Sequence, residues 1–182
     1  MTAFLRDDSN DVTLRIPTKE DAPALTEWVN SQELRPMIRA WLPASLEAEI
    51  SWIESLQSQS KPPKDIAFII VKGDAPVGIC GLHQIAWDWR CCTIGIFIAS
   101  PTGRKQKIGR SAYSLVLNYA FCEMGLNVVE AEVYSVNEPS LGFHCSMGFR
   151  EVGVSDPKVL FCGAHVPMHT FSMTAERWLA RT

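Results

Sequence analysis

At 182 residues with 47% hydrophobic content, the chain is long enough to bury one substantial core, and a single domain over residues 1–182 is expected. A net charge of -3 gives no global basic field, so neither nucleic acid nor an anionic membrane is expected as a partner. Met1 to Asn10 lack the basic start and apolar run of a secretory signal, and no stretch reaches the ~18 uninterrupted apolar residues of a membrane helix. The expectation is a cytoplasmic protein, with residues 1–10 a flexible start.

Val12, Leu14 and Ile16 alternate with polar residues as in a half-buried strand, and Thr18 to Asp21 then matches the [ST]-x-x-[DE] pattern that opens helices. A helix carrying Ala22, Leu25, Trp28 and Val29 follows. Ser45 can cap a second helix, in which Leu46, Ile50 and Ile53 recur at helical spacing and Glu47 and Glu49 favour the first-turn dipole. Ile66 to Val71 and Val77 to Ile85 read as a hairpin about the turn at Lys72 to Pro76, and Cys92 to Ile98 as a further buried strand.

From Lys107 to Met124, Ile108, Ala112, Leu115, Val116, Tyr119 and Ala120 mark one buried helix face, which Gly125 stops. Val128 to Tyr134 is an alternating strand with Glu130, Glu132 and Tyr134 on one side, and Pro139 suits the start of a short helix ending near Gly148. Strands over Phe149 to Val154 and Val166 to Met173 finish the chain. The order predicts a mixed α/β (α+β) sheet and not the strict alternation of a dinucleotide-binding fold.

Cys80, Cys91, Cys92, Cys122, Cys145 and Cys162 lie within apolar runs and read as buried free thiols. Cys162, His165 and His169 have zinc-like spacing, but no second pair supplies a remaining ligand and the segment looks like a hairpin, so no metal is expected. Trp87 and Trp89 are expected to pack, and His83 is left undecided.

The segment Ile94-Gly95-Ile96-Phe97-Ile98, followed by Arg104-Lys105-Gln106-Lys107-Ile108-Gly109-Arg110, leads a buried strand through a basic turn into a helix start. Unpaired amides at a helix start carry partial positive charge, so this arrangement suits a phosphate; a solvated basic turn is the plain alternative. A nucleotide-binding G-x-x-x-x-G-K-[ST] loop is absent.

Together with Asn137 to Phe149, in which N-x-x-S precedes G-F, this turn makes the chain resemble the GNAT acetyltransferase superfamily, especially the ribosomal-protein N-terminal acetyltransferase branch. The resemblance runs from Val12 to about Trp178. It implies a three-layer fold with a twisted, mostly antiparallel sheet of about 6–7 strands and about 4 helices. It further implies a V-shaped opening, between the strand ending near Ile98 and the strand Val128 to Tyr134, that takes acetyl-CoA.

By position, main-chain groups of Phe97 and Ile98 would meet the pantetheine arm. Amides from Arg104 to Ser111, including Lys105, Lys107, Ile108, Gly109 and Arg110, would hold the pyrophosphate, with Asn137, Ser140 and Phe143 alongside. Lys107 stands where the family places a glycine, and His144 where relatives commonly carry a tyrosine that protonates the departing thiolate.

The implied activity is transfer of an acetyl group to a primary amine, by a monomer or homodimer; a non-catalytic acetyl-CoA sensor is the alternative. A lysine-type amine, with a pKa near about 10.4, must lose a proton before it can attack, and a departing thiolate benefits from an acid. Glu132 is the candidate base, His144 the candidate acid and Tyr134 a second acid.

Overall fold

The computed structural model describes residues 3–38, 42–99 and 107–181. Their main feature is an eight-stranded sheet in the order β1-β2-β3-β4-β5-β6-β10-β7. Its strands are β1 (Leu5–Asp7), β2 (Val12–Arg15), β3 (Ile66–Lys72), β4 (Ala75–Ala86), β5 (Cys91–Ile98), β6 (Val128–Tyr134), β7 (Arg150–Val154) and β10 (Met168–Thr174). Every pairing is antiparallel except β5 with β6.

Helices α1 (Ala22–Asn30) and α2 (Leu46–Gln57) precede β3, α3 (Ile108–Asn118) joins β5 to β6, α4 (Glu138–Ser146) follows β6, and α5 (Ala175–Leu179) continues from β10. A small separate hairpin pairs β8 (Val159–Phe161) with β9 (Ala164–Val166).

Side-chain alternation in β3 explains the three layers. Phe68 and Ile70 belong to the core that includes Ile108, Ala112 and Val116 of α3, whereas Ile69 and Val71 pack with Ala22, Leu25 and Ile53 of α1 and α2. One strand with apolar residues on both faces thus supports helices on both sides.

The expected local signals are present. Ser45 Oγ accepts the Ala48 amide at 3.2 Å, and the Thr18 amide donates to Asp21 Oδ2 at 2.8 Å. Asp21 does more than its spacing indicates: Arg15 donates to both its carboxylate oxygens, at 2.7 and 2.6 Å, in a pair buried between β2 and α1.

The structure departs from the sequence expectation in several places. Three-residue β1 pairs with β2 inside the segment expected to be flexible, and the Asp7 carboxylate is held below its usual range by hydrogen bonds from Ser9, Asn10 and Ser111 of α3. Pro167 separates β9 from β10 in the stretch read as one strand, because proline has no N–H for the ladder. The five residues of α5 are capped by Thr174 Oγ1, which accepts the Arg177 amide at 3.2 Å. The count is therefore eight strands in the main sheet and five α-helices among the described residues.

The long central helix is regular only to Asn118; Tyr119–Glu123 forms a π-helical turn, with the Met124 amide reaching the Tyr119 carbonyl at 3.0 Å. Trp87 packs as expected, its Nε1 donating to the Pro63 carbonyl at 2.7 Å, but Trp89 is 82% exposed at the tip of the β4–β5 connection. All six cysteines are free, yet only Cys80 and Cys92 are fully buried; Cys122, Cys145 and Cys162 are exposed. Gly78 has a purely steric reason, since a Cβ there would lie 2.2 Å from the Phe97 carbonyl oxygen across the β4–β5 ladder.

Candidate functional site

The sheet opens at one place. β5 and β6 pair in parallel only through Cys91–Val128, Cys92–Val129 and Thr93–Glu130. Beyond that row, the remaining residues of β5 and β6 diverge and line a cavity of about 1040 Å³. The V-shaped opening expected between these strands is present.

Register determines what faces it. His83 lies opposite Thr93, and Thr93 opposite Glu130, in the last row before the strands part. The next row sets Gly81 opposite Gly95, with Glu132 across the gap; the one after sets Ile79 opposite Phe97, with Tyr134 across it. All these side chains project to the α1–α2 side, because Ile79 packs with the cluster of Leu25 and Ile53.

Main-chain direction follows from the same ladder. The Ala99 amide donates to the Val77 carbonyl at 2.8 Å, so alternation turns the Phe97 main chain towards β4 and those of Ile96 and Ile98 towards the opening. The Phe97 side chain and the Ile98 main chain thus face the opening.

At the wide end stands the start of α3. Lys107 precedes the helix with φ 59° and ψ 5°, and its side chain makes no cap. The amides of Ile108, Gly109 and Arg110 occupy the first helical turn, where no intrahelical partner exists. Ser111 does not share that role: its amide donates to the Lys107 carbonyl at 3.0 Å, and its side chain is buried, bonding Asp7. Arg104 and Lys105 lie outside the described residues. Lys107, Gly109, Arg110, Asn137, Ser140 and Phe143 all line the cavity. Asn137 also has a structural task, since its side chain caps α4 by accepting the Ser140 amide at 3.2 Å.

The left-handed backbone at Lys107 answers why glycine would suit that position: a β-carbon costs about 1–2 kcal/mol there. Lys107→Gly is expected to raise the melting temperature by roughly 2–4 °C. Loss of an exposed charge beside the helix start should weaken CoA binding by roughly two- to fivefold. Differential scanning fluorimetry and calorimetric titration read the two effects separately, and a lowered melting temperature would refute the strain.

His144 reaches the cavity wall from α4. It is buried, stacked on Phe171 with ring centroids 5.4 Å apart and edged by Tyr113, Phe143 and Phe149. Its Nδ1 lies 2.8 Å from the Ser140 carbonyl oxygen and its Nε2 2.8 Å from the Tyr113 hydroxyl. A carbonyl can only accept, so Nδ1 carries the proton; the neutral ring then accepts the Tyr113 hydroxyl at Nε2. Burial holds the imidazole pKa below its ordinary value, against the smaller upward effect of the Ser140 carbonyl bond. Through these two bonds His144, which also lines the cavity, ties α4 to α3.

That arrangement has a pH signature. The unfolded chain binds the proton near about pH 6.5, where the folded ring does not, so acid favours unfolding. Urea denaturation of the wild type is expected to lose stability progressively as pH falls below about 6.5, more steeply than that of His144→Gln. Equal slopes would refute the neutral buried ring.

Glu132 is exposed at the cavity, and Tyr134 is buried beneath the β8–β9 hairpin, its ring 5.7 Å from that of Phe161. Towards α1 and α2 the lining continues with Leu25, Val29, Glu33, Glu49 and Trp52. Burial pushes the Glu49 carboxyl pKa up. Among the described residues, no group of three or more His, Cys, Asp or Glu side chains is arranged to hold a metal, and no helix is long and apolar enough to cross a membrane.

A sheet opened between two parallel strands, with a helix start at its mouth, defines an acyl-thioester type of site. The chain matches the acetyltransferase (GNAT) domain over residues 11–150, and it belongs to that family. It is 28% identical over 155 residues to the alpha/beta-tubulin-N-acetyltransferase 9 of Mus musculus, covering 76% of this chain and 61% of that one.

A solved structure described as a probable acetyltransferase superposes with TM-score 0.85 at 24% identity, covering 96% of this chain and 99% of that one. The spermidine N-acetyltransferase of Vibrio cholerae, in complex with CoA and spermine, superposes with TM-score 0.84 at 16% identity, covering 93% and 98%. At these identities the two structures establish the shared fold.

Proposed function

We propose that the protein transfers an acetyl group from acetyl-CoA to a primary amine. The observation that carries this reading is the end of β5–β6 pairing at Thr93–Glu130, which opens a cleft leading from the α3 amides to a polar floor. Residues already present fit the co-substrate. Ile96 and Ile98 turn main-chain groups into the opening as an extended amide arm requires, and the amides of Ile108, Gly109 and Arg110 suit a pyrophosphate. Lys107 and Arg110 add positive charge there. Acetyl-CoA supplies an activated acyl group whose thiolate can leave.

On the opposite side, Glu33, Glu49 and Glu132 make the acceptor end acidic, which suits an amine arriving as a cation. Glu132 steers the ammonium across from Gly95. Tyr134 gives the departing thiolate its proton, in place of His144, whose two nitrogens face Tyr113 and Ser140. The free thiols fit a reducing, cytoplasmic compartment.

Thiol release measured with a panel of amines tests the reading, together with calorimetry of CoA binding. Binding with turnover on at least one amine is expected. Absence of CoA binding at millimolar concentration, or binding with no turnover on any amine, would overturn it.

A further inference from the structure

His83 is aimed by three separate parts of the chain. β4 breaks register with β5 between His83 and Ala86, and Gln84 in that bulge has φ 53°, a left-handed backbone at a non-glycine residue. Bulges redirect side chains, and strained residues cluster at working sites. The Gln84 amide donates to Asp65 Oδ1 at 3.2 Å, and the same carboxylate oxygen lies 3.5 Å from His83 Nδ1.

Asp65 is itself clamped. Gln59, beyond α2, accepts the Lys64 and Asp65 amides, each at 2.9 Å, and donates to the Asp65 carbonyl at 2.8 Å. Thus a bulge, a loop and the end of α2 converge to hold one carboxylate beside one imidazole.

The other ring nitrogen is left to the cavity. His83 Nε2 would lie 3.3 Å from a Cβ on Gly81 and 3.6 Å from one on Gly95, so the ring leans over the facing pair of glycines at the narrow end of the opening. A side chain at either position would crowd that edge. Nδ1 is the ring nitrogen on the Asp65 side, 3.5 Å from its carboxylate, and a proton held there would leave the Nε2 lone pair above the row in which Glu132 stands opposite.

We infer that His83, oriented by Asp65, is the group that takes the proton from the acceptor amine. This rests on the acetyl-transfer reading above and replaces Glu132 as the base. His83 Nε2 accepts one proton from the ammonium, and Asp65 faces the resulting imidazolium. The freed nitrogen lone pair forms the C–N bond to the acetyl carbon as the C–S bond breaks. Tyr134 protonates the thiolate and recovers a proton from the nitrogen, while His83 returns its own to water, so one proton is released per turnover. Imidazole suits this work because one ring nitrogen can accept a proton while the other keeps its own towards a carboxylate. The titratable groups facing this part of the cavity are Asp65 before β3, Glu33 after α1, Glu49 on α2, and Glu130 and Glu132 on β6.

The test uses the whole chain, with spermidine and a heptapeptide bearing a free N-terminus as probes. His83→Ala and His83→Gln are expected to lower kcat about 10²-fold with CoA affinity unchanged, and added imidazole should restore part of the His83→Ala loss. Independently of turnover, ¹⁵N spectra of the protein alone should show His83 in its Nδ1–H form, a preference lost in Asp65→Asn. Variant rates within about threefold of wild type, a loss that imidazole does not relieve, or an Nε2–H ring would overturn the inference while leaving acetyl transfer intact. A wild-type protein that acetylates neither probe nor any other amine of the panel would overturn it along with the transfer it serves.

Discussion

Tyr134→Phe is expected to lower kcat about 10²-fold while leaving CoA binding within roughly twofold. Only the phenolic hydroxyl is removed; the ring that packs against Phe161, Val166 and Met168 stays in place. Loss of packing therefore cannot account for a large effect. If the hydroxyl protonates the departing thiolate, the deficit should shrink with an acetyl thioester whose thiol is more acidic, because such a group leaves without help. A rate within about threefold of wild type, or a deficit independent of the leaving group, would remove Tyr134 from the chemistry.

Asp21→Ala should produce the largest loss of stability, about 3–5 kcal/mol, because it strands the Arg15 guanidinium in a site closed to water. For a chain of this length that corresponds to a melting temperature lower by roughly 6–20 °C, readable by scanning calorimetry. The cost has two parts: the uncompensated Arg15 charge and the Thr18 amide left without its acceptor. Replacing both partners, as Arg15→Met with Asp21→Leu, should recover the first part and not the second.

The same pair carries a pH prediction. Burial pushes the Asp21 carboxyl up, but hydrogen bonds from Arg15 and Thr18, with the Arg15 charge, outweigh it and hold the pKa below the ordinary value. A depressed carboxyl contributes stability that is complete above the unfolded pKa of about 3.9 and is lost as pH falls through the folded value. The acid limb from Asp21 therefore lies below that from His144, which begins near about pH 6.5. A wild-type stability curve lacking the lower limb would contradict the pairing.

Much of this protein is written locally. The alternation of Val128 to Tyr134, the caps at Ser45 and Asn137, and the buried face of Ile108 to Leu117 follow from periods and side-chain chemistry that act over a few residues. The resemblance carried by Arg104 to Gly109 and Asn137 to Phe149 was enough to anticipate the opening between β5 and β6. Short elements were less legible: β1, α5 and the division at Pro167 depend on what the rest of the fold offers a three- to seven-residue segment.

The division between sequence and tertiary structure is sharpest at the histidines. By itself the chain determined the class of architecture, the order of its elements and the place of a phosphate-suited helix start, because each rests on contiguous residues. It put His144 forward as the acid and left His83 undecided, since burial and partners are properties of space. Folding enclosed His144 among four aromatic rings and used both its nitrogens, while a bulge at Gln84 and a clamp from Gln59 brought Asp65 beside His83 across 18 positions of chain. One imidazole became packing and the other a candidate base because solvent access and hydrogen-bond partners are settled only when distant segments meet.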